Sequence, residues 1–203
     1  MSIQELIDGI QYPQNLYYDV DKLEPKGLLV HRYIAFMKYC PELFEQQKSF
    51  LDIGFATGFF LFCHAKNKTK VVGIEPDRKL FDLCDLIRHY KHVNIDILNV
   101  SFKDYKSNEK FELVFLGNCF HYLYKDEGWN IVKRLSDICQ NELIIEAPLE
   151  GSYLIDIKGW HENEMSKNYT KQKFLEESSK FFKIEGIFES GTIGQRNIVV
   201  LKK

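Results

Sequence analysis

No apolar run in the 203 residues approaches the roughly 18–20 needed to cross a bilayer, so no helical membrane span is expected. The opening Met1-Ser2-Ile3-Gln4-Glu5-Leu6 has neither the basic nor the apolar region of a secretion signal, and a cytoplasmic chain is expected. Basic excess is missing. Lys and Arg number 27 against 29 Asp and Glu, a formal charge of −2, which disfavours nucleic acid as the main partner while leaving room for a local patch. Cysteine is sparse and odd in number: Cys40, Cys63, Cys84, Cys119 and Cys139, with no Cys-x-x-Cys among them. Reduced, mostly buried thiols are expected. Repeats, low-complexity tracts and linkers are absent too. The expectation is one domain over 1–203, with a helical arm or lid at 1–47 and a core at 48–203. At 45% hydrophobic and 28% charged, the composition is that of an ordinary globular protein.

The stretch Phe50-Leu51-Asp52-Ile53-Gly54-Phe55-Ala56-Thr57-Gly58-Phe59-Phe60 runs from apolar residues through an acid and glycines into a second apolar run. That order predicts a buried strand, a tight turn and the first turn of a helix. Glycine is needed where backbone turns with positive φ or where a ligand lies against the main chain. A second buried strand follows at Val71-Val72-Gly73-Ile74, ending in Glu75-Pro76-Asp77. A carboxylate at that strand end can accept both hydroxyls of a ribose. The pair of motifs predicts a nucleotide-containing cofactor on an open α/β sheet.

Hydrophobic periodicity fills in the rest. Helices are predicted over Gly27–Phe44, divided or kinked at Pro41, and over Phe59–Ala65, Arg78–Tyr90 (capped by Asp77), Trp129–Cys139 and Lys171–Ser179. Strands are predicted at Ser49–Ile53, Val71–Glu75, Val93–Ile97, Phe111–Gly117 and Glu142–Ala147. Two more, Phe181–Glu189 and Asn197–Lys202, are joined by a short Gly-containing link and read as an antiparallel hairpin. The fold class is therefore α/β: a Rossmann-like, seven-stranded, mostly parallel sheet with a C-terminal antiparallel hairpin and helices on both faces.

The chain order and the Asp52-x-Gly54-x-Ala56-x-Gly58 motif resemble class I S-adenosylmethionine-dependent methyltransferases, with Ala56 where that family commonly has glycine. The dinucleotide fingerprint Gly-x-Gly-x-x-Gly is not met. The segment Phe111-Glu112-Leu113-Val114-Phe115-Leu116-Gly117-Asn118-Cys119-Phe120-His121-Tyr122-Leu123, together with Gly58-Phe59-Phe60 and Tyr18-Asp19-Val20-Asp21, resembles the tRNA wobble-uridine carboxymethyltransferase branch. The likeness covers residues 50–147 well and the flanks loosely. It implies S-adenosylmethionine as cofactor and S-adenosylhomocysteine as product. It places Asp52, Gly54, Phe55, Ala56, Gly58 and Phe59 at the methionine part, and Glu75 on the ribose. Pro76, Asn99, Val100 and Ser101 then lie beside adenine, although the family's usual acid near position 99 is an asparagine here. Gly117 and Asn118 complete the cofactor set.

His121 is the candidate catalytic residue, because a histidine near its ordinary pKa just past strand four can take a proton from an acceptor. Tyr18, Glu146, Trp160 and His161, with His121, are the candidates for contact with the acceptor. His161 and Glu164 are spaced as two metal ligands would be on a helix, but no third ligand follows, and no metal is expected. The implied activity is methyl transfer to an O or N acceptor, read as a small molecule or sugar from the charge. A non-catalytic cofactor-binding subunit and a tRNA wobble-base (carboxy)methyltransferase are the alternatives. A monomer or homodimer is expected.

Overall fold

The computed structural model describes residues 18–45, 48–66, 70–149, 168–191 and 196–203. Trp160, His161 and Glu164 lie outside the described residues. So does the part of the arm before Tyr18.

The arm opens with a two-residue ladder, β1 (Tyr18–Asp19) against β2 (Glu24–Pro25), that the sequence did not suggest. Helix α1 (Leu28–Tyr39) and the short α2 (Glu42–Glu45) follow, divided at Pro41 as expected. Next come β3 (Phe50–Ile53), α3 (Phe59–Ala65), β4 (Val71–Ile74), α4 (Arg78–Tyr90), β5 (Asp96–Leu98) and β6 (Phe111–Gly117). Helices α5 (Phe120–Glu127) and α6 (Asn130–Ile138) lead to β7 (Cys139–Ala147). The chain closes with α7 (Lys171–Ser179), β8 (Lys183–Glu189) and β9 (Asn197–Lys202).

The seven strands β3–β9 form one sheet in the order β5-β4-β3-β6-β7-β9-β8. The first five run parallel, and β9 runs antiparallel to its neighbours β7 and β8, so the sheet is mostly parallel with a C-terminal antiparallel hairpin, as the chain order predicts. Strands buried on both sides read as continuous apolar runs, and β3 and β4 are buried at every position. Side chains alternate between two cores. Phe50, Leu113, Phe115, Ile144 and Ile198 meet α1–α4 through Phe36, Leu43, Phe62 and Ile87. Leu51, Ile53, Val114, Leu116, Ile145 and Val199 meet α5–α7 through Phe120, Tyr124, Leu135 and Phe174.

Strand β7 begins at Cys139, where the helix before it was expected to end, rather than at Glu142, and two more elements differ from the sequence reading. The third strand of the sheet runs Asp96–Leu98 rather than Val93–Ile97, because pairing with Val72–Ile74 sets its limits. Its Ile95 is buried one position earlier, outside the ladder. Helix α5 was not foreseen. Its inward residues are Phe120 and Tyr124, one helical turn apart, set among residues of mixed type, and Gly128 at φ +59 ends it.

Candidate active site

Because β3, β4, β5, β6 and β7 run parallel, their carboxyl ends share one edge, where open α/β sheets bind ligands. Antiparallel β9 begins at that edge, with Asn197 opposite Ala147. Most of the predicted site residues gather there.

The turn after β3 carries three positive φ angles: Gly54 at +75°, Ala56 at +52° and Gly58 at +84°. Gly54 N donates to Ile74 O at 2.8 Å, folding the turn over the end of β4. At Gly58 a Cβ would stand 2.5 Å from Cys84 Sγ and 2.9 Å from Phe62 Cε2, so both φ and space demand glycine. Phe55 and Phe59 are buried core residues, which leaves their main chain to face a ligand.

Glu75 is buried at the end of β4. Its Oε2 accepts from Ala56 N at 2.9 Å and its Oε1 from Asp77 N at 3.0 Å. The two N–H groups fix the carboxylate plane and leave one lone pair on each oxygen. Burial raises its pKa, and the two N–H groups oppose that rise. Asn99 donates through Nδ2 to Glu75 O at 2.8 Å and to Pro76 O at 3.1 Å. Its amide thereby ties the loop after β5 to the loop after β4. Ser101 serves a local turn instead, donating to Asp104 Oδ2 at 2.6 Å. Val100 packs on the core and Pro76 is exposed.

Asp52 is buried in β3, and its Oδ1 meets no partner among the described residues. Burial, then the Glu75 charge, pushes its pKa well up, while Arg32 pulls it down. Asn118, at φ +64°, donates its N–H to Glu146 O at 2.9 Å, and its Oδ1 is likewise unmatched. Cys119 packs against the turn: Sγ lies 2.9 Å from Ile53 O, and a Cβ on Gly54 would come within 3.1 Å of it. All five cysteines are free thiols.

His121, in the first turn of α5, is buried and leans on Tyr122, with ring centroids 4.2 Å apart. Its Nδ1 meets no partner among the described residues. Burial, then the charge of Arg196, pushes its pKa down to about 4. This corrects the expectation of a histidine near its ordinary value: the ring stays a neutral imidazole throughout the physiological range.

Two predicted acceptor contacts are engaged elsewhere. Tyr18 is fully buried, donates to Thr57 O at 2.6 Å and packs on Phe59 at 5.3 Å, so it braces the glycine turn from beneath. Glu146 is fully buried and accepts from Arg32 through both oxygens, with Nε at 3.1 and 2.9 Å and Nη2 on Oε2. Sequence reasoning missed Arg32. The signal was a lone cation at i+3 from Leu29 and i−4 from Phe36, on the inward stripe of α1. Among the described residues no three His, Cys, Asp or Glu side chains converge as a metal site, and no helix is long and apolar enough to span a membrane.

Comparison with known proteins agrees with this geometry. Residues 50–142 match a family model described as a methyltransferase domain. No curated protein sequence matches the chain. Among solved structures, the PH0226 protein of Pyrococcus horikoshii OT3 superposes with a TM-score of 0.69 at 13% identity, covering 92% of this chain and 94% of that one. A SAM-dependent methyltransferase from Aquifex aeolicus gives 0.60 at 15% identity, covering 100% and 98%. The bifunctional kinase-methyltransferase WbdD gives 0.61 at 16% identity, covering all of this chain and 46% of that one. The matched stretch is thus similar to a methyltransferase domain, and the whole sheet has the fold of these neighbours.

Proposed function

We propose that this methyltransferase-domain chain is an enzyme that takes S-adenosylmethionine as donor and methylates an O or N acceptor, a small molecule or sugar. The observation that carries the reading is the pair of unmatched buried acceptors, Asp52 Oδ1 and Asn118 Oδ1, flanking a glycine turn that ends against Glu75. Buried polar atoms are nearly always paired, so two with no partner among the described residues at one strand edge suit a ligand with donors. The ammonium of a methionine moiety is such a donor, and Asp52 and Asn118 would hold it. The remaining lone pairs of Glu75 would take the ribose hydroxyls. Asn99, its Nδ2 committed to the main chain, would turn its Oδ1 toward adenine. Bound there, the cofactor supplies an electrophilic methyl group on a sulfonium.

The protein's own contribution is placement. Fixed backbone around Gly54 and Gly58 would hold one reactant, and the segment past β6 the other, so that nucleophile and methyl lie in line. The uncharged Nδ1 of His121, without a partner among the described residues, would accept a hydrogen bond from the acceptor's O–H or N–H. With its pKa near 4, it orients the nucleophile more than it stores the proton. The net charge of −2 favours a small acceptor over tRNA. The test follows labelled methyl from the cofactor into a panel of hydroxyl- and amine-bearing compounds. His121→Ala is expected to lower turnover at unchanged cofactor affinity; an unaltered rate would remove it from the site.

A further inference from the structure

Two buried acids meet at the glycine turn, and they are not equally provided for. Asp52 shares a face of β3 with Phe50, the face packed under α1–α4. It is 2% exposed, and its Oδ1 meets no partner among the described residues. The charged and titratable groups around it come from four neighbouring segments. The end of β4 brings the Glu75 carboxylate, which accepts from Ala56 N and Asp77 N. Helix α1 brings Arg32, whose guanidinium is matched by both oxygens of the buried Glu146. Helix α4 and the turn after β6 bring the thiols of Cys84 and Cys119. Burial, then the charge of Asp52, raises both thiols, so they stay neutral.

A buried carboxylate without donors is costly, and a second carboxylate beside it raises the cost further. One of the two acids is stabilised by holding a proton. Glu75 has a backbone N–H on each oxygen, which favours its anion. Asp52 lacks a donor on Oδ1, so the proton settles there. Burial and the Glu75 charge shift its titration in the same direction, well above the ordinary carboxylate range.

We infer that Asp52 is a proton-exchange site: it carries a proton in the free protein and gives it up when the donor's α-ammonium docks on Oδ1. The inference rests on the reading of this cleft as the S-adenosylmethionine site. The O–H bond of the acid breaks and the proton passes to a buffer base. The carboxylate left behind is paired by the incoming ammonium, which keeps its three protons. Cofactor affinity therefore falls with acid, in a range well above that of an ordinary aspartate.

S-adenosylhomocysteine carries the ammonium, whereas 5′-methylthioadenosine keeps the nucleoside and the thioether and lacks the amino-acid end. Calorimetric titration with each at about pH 6, in phosphate and in imidazole, counts released protons, because the two buffers differ in ionisation enthalpy. The expected count is about half a proton or more for S-adenosylhomocysteine and none for 5′-methylthioadenosine. Affinity for S-adenosylhomocysteine should rise with pH, by up to about tenfold per unit, while 5′-methylthioadenosine stays level. Asp52→Asn, isosteric with the protonated acid, should bind S-adenosylhomocysteine more weakly and release no proton. A wild-type count near zero overturns the inference, as does an equal count for the two ligands or a release that survives in Asp52→Asn. If the variant binds too weakly to titrate, the comparison of the two ligands on the wild type decides. A wild type that binds neither compound overturns the cofactor reading itself.

Discussion

Burial of His121 without a partner on Nδ1 makes stability fall with acid in a calculable way. Its pKa is lowered from 6.5 to about 4 in the folded protein. Between those values the unfolded chain binds a proton that the folded one refuses, so stability is present above pH 6.5 and is lost as pH falls toward 4. From pH 7 to pH 5 the linkage integral for this one group amounts to about 2 kcal/mol. Other groups contribute as well: the raised pKa of Glu75, caused by burial, acts in the opposite direction. The measurement is therefore a difference of differences: urea unfolding of the wild type and of His121→Asn, each at pH 7 and pH 5. The wild type should lose about 2 kcal/mol more than the variant across that step. A gap of less than about 0.5 kcal/mol, the spread expected of independent effects, would mean that the ring is solvated or paired, and its role as an uncharged hydrogen-bond acceptor would go with it.

Gly58→Ala places a Cβ 2.5 Å from Cys84 Sγ at φ +84°, and the left-handed penalty plus overpacking should cost about 2–4 kcal/mol in urea unfolding. Ala56→Gly relieves a non-glycine residue at φ +52° and should be neutral or stabilise by up to about 1 kcal/mol, the left-handed relief outweighing the added chain entropy. A clear loss would show that the methyl group of Ala56 is packed. Glu75→Ala removes a charged acceptor for two hydroxyls and should weaken S-adenosylhomocysteine binding by about 2–3 kcal/mol in calorimetry. An unchanged affinity would remove it from the ribose site.

The sheet was legible because its strands are buried on both faces and announce themselves as apolar runs, Phe111–Gly117 most plainly. Helix α4 was read to its end residues, since Asp77 accepts from Lys79 N and Leu80 N as an N-cap should. The glycine turn and Glu75 were legible for a different reason: their spacing follows the strand–turn–helix path. Helix α5 was hidden by a short aromatic stretch with little periodicity. Arg32 was hidden by distance. Its partner lies 114 residues away on β7, and only the packing of α1 across the sheet brings them together. The same packing took Glu146 out of solvent, and the glycine turn and Phe59 did so for Tyr18, where sequence alone had both reaching for the acceptor. Strand ends and local motifs can be read along the chain, whereas a side chain's final partner depends on which helix covers which edge.

The most direct test of the account is a calorimetric titration of the purified protein with S-adenosylmethionine, S-adenosylhomocysteine and NAD⁺. Binding of the two adenosyl compounds in the micromolar range, with no heat from NAD⁺, is the predicted result. Binding of NAD⁺ alone would contradict the donor assignment while leaving the sheet and its carboxyl-edge cleft in place.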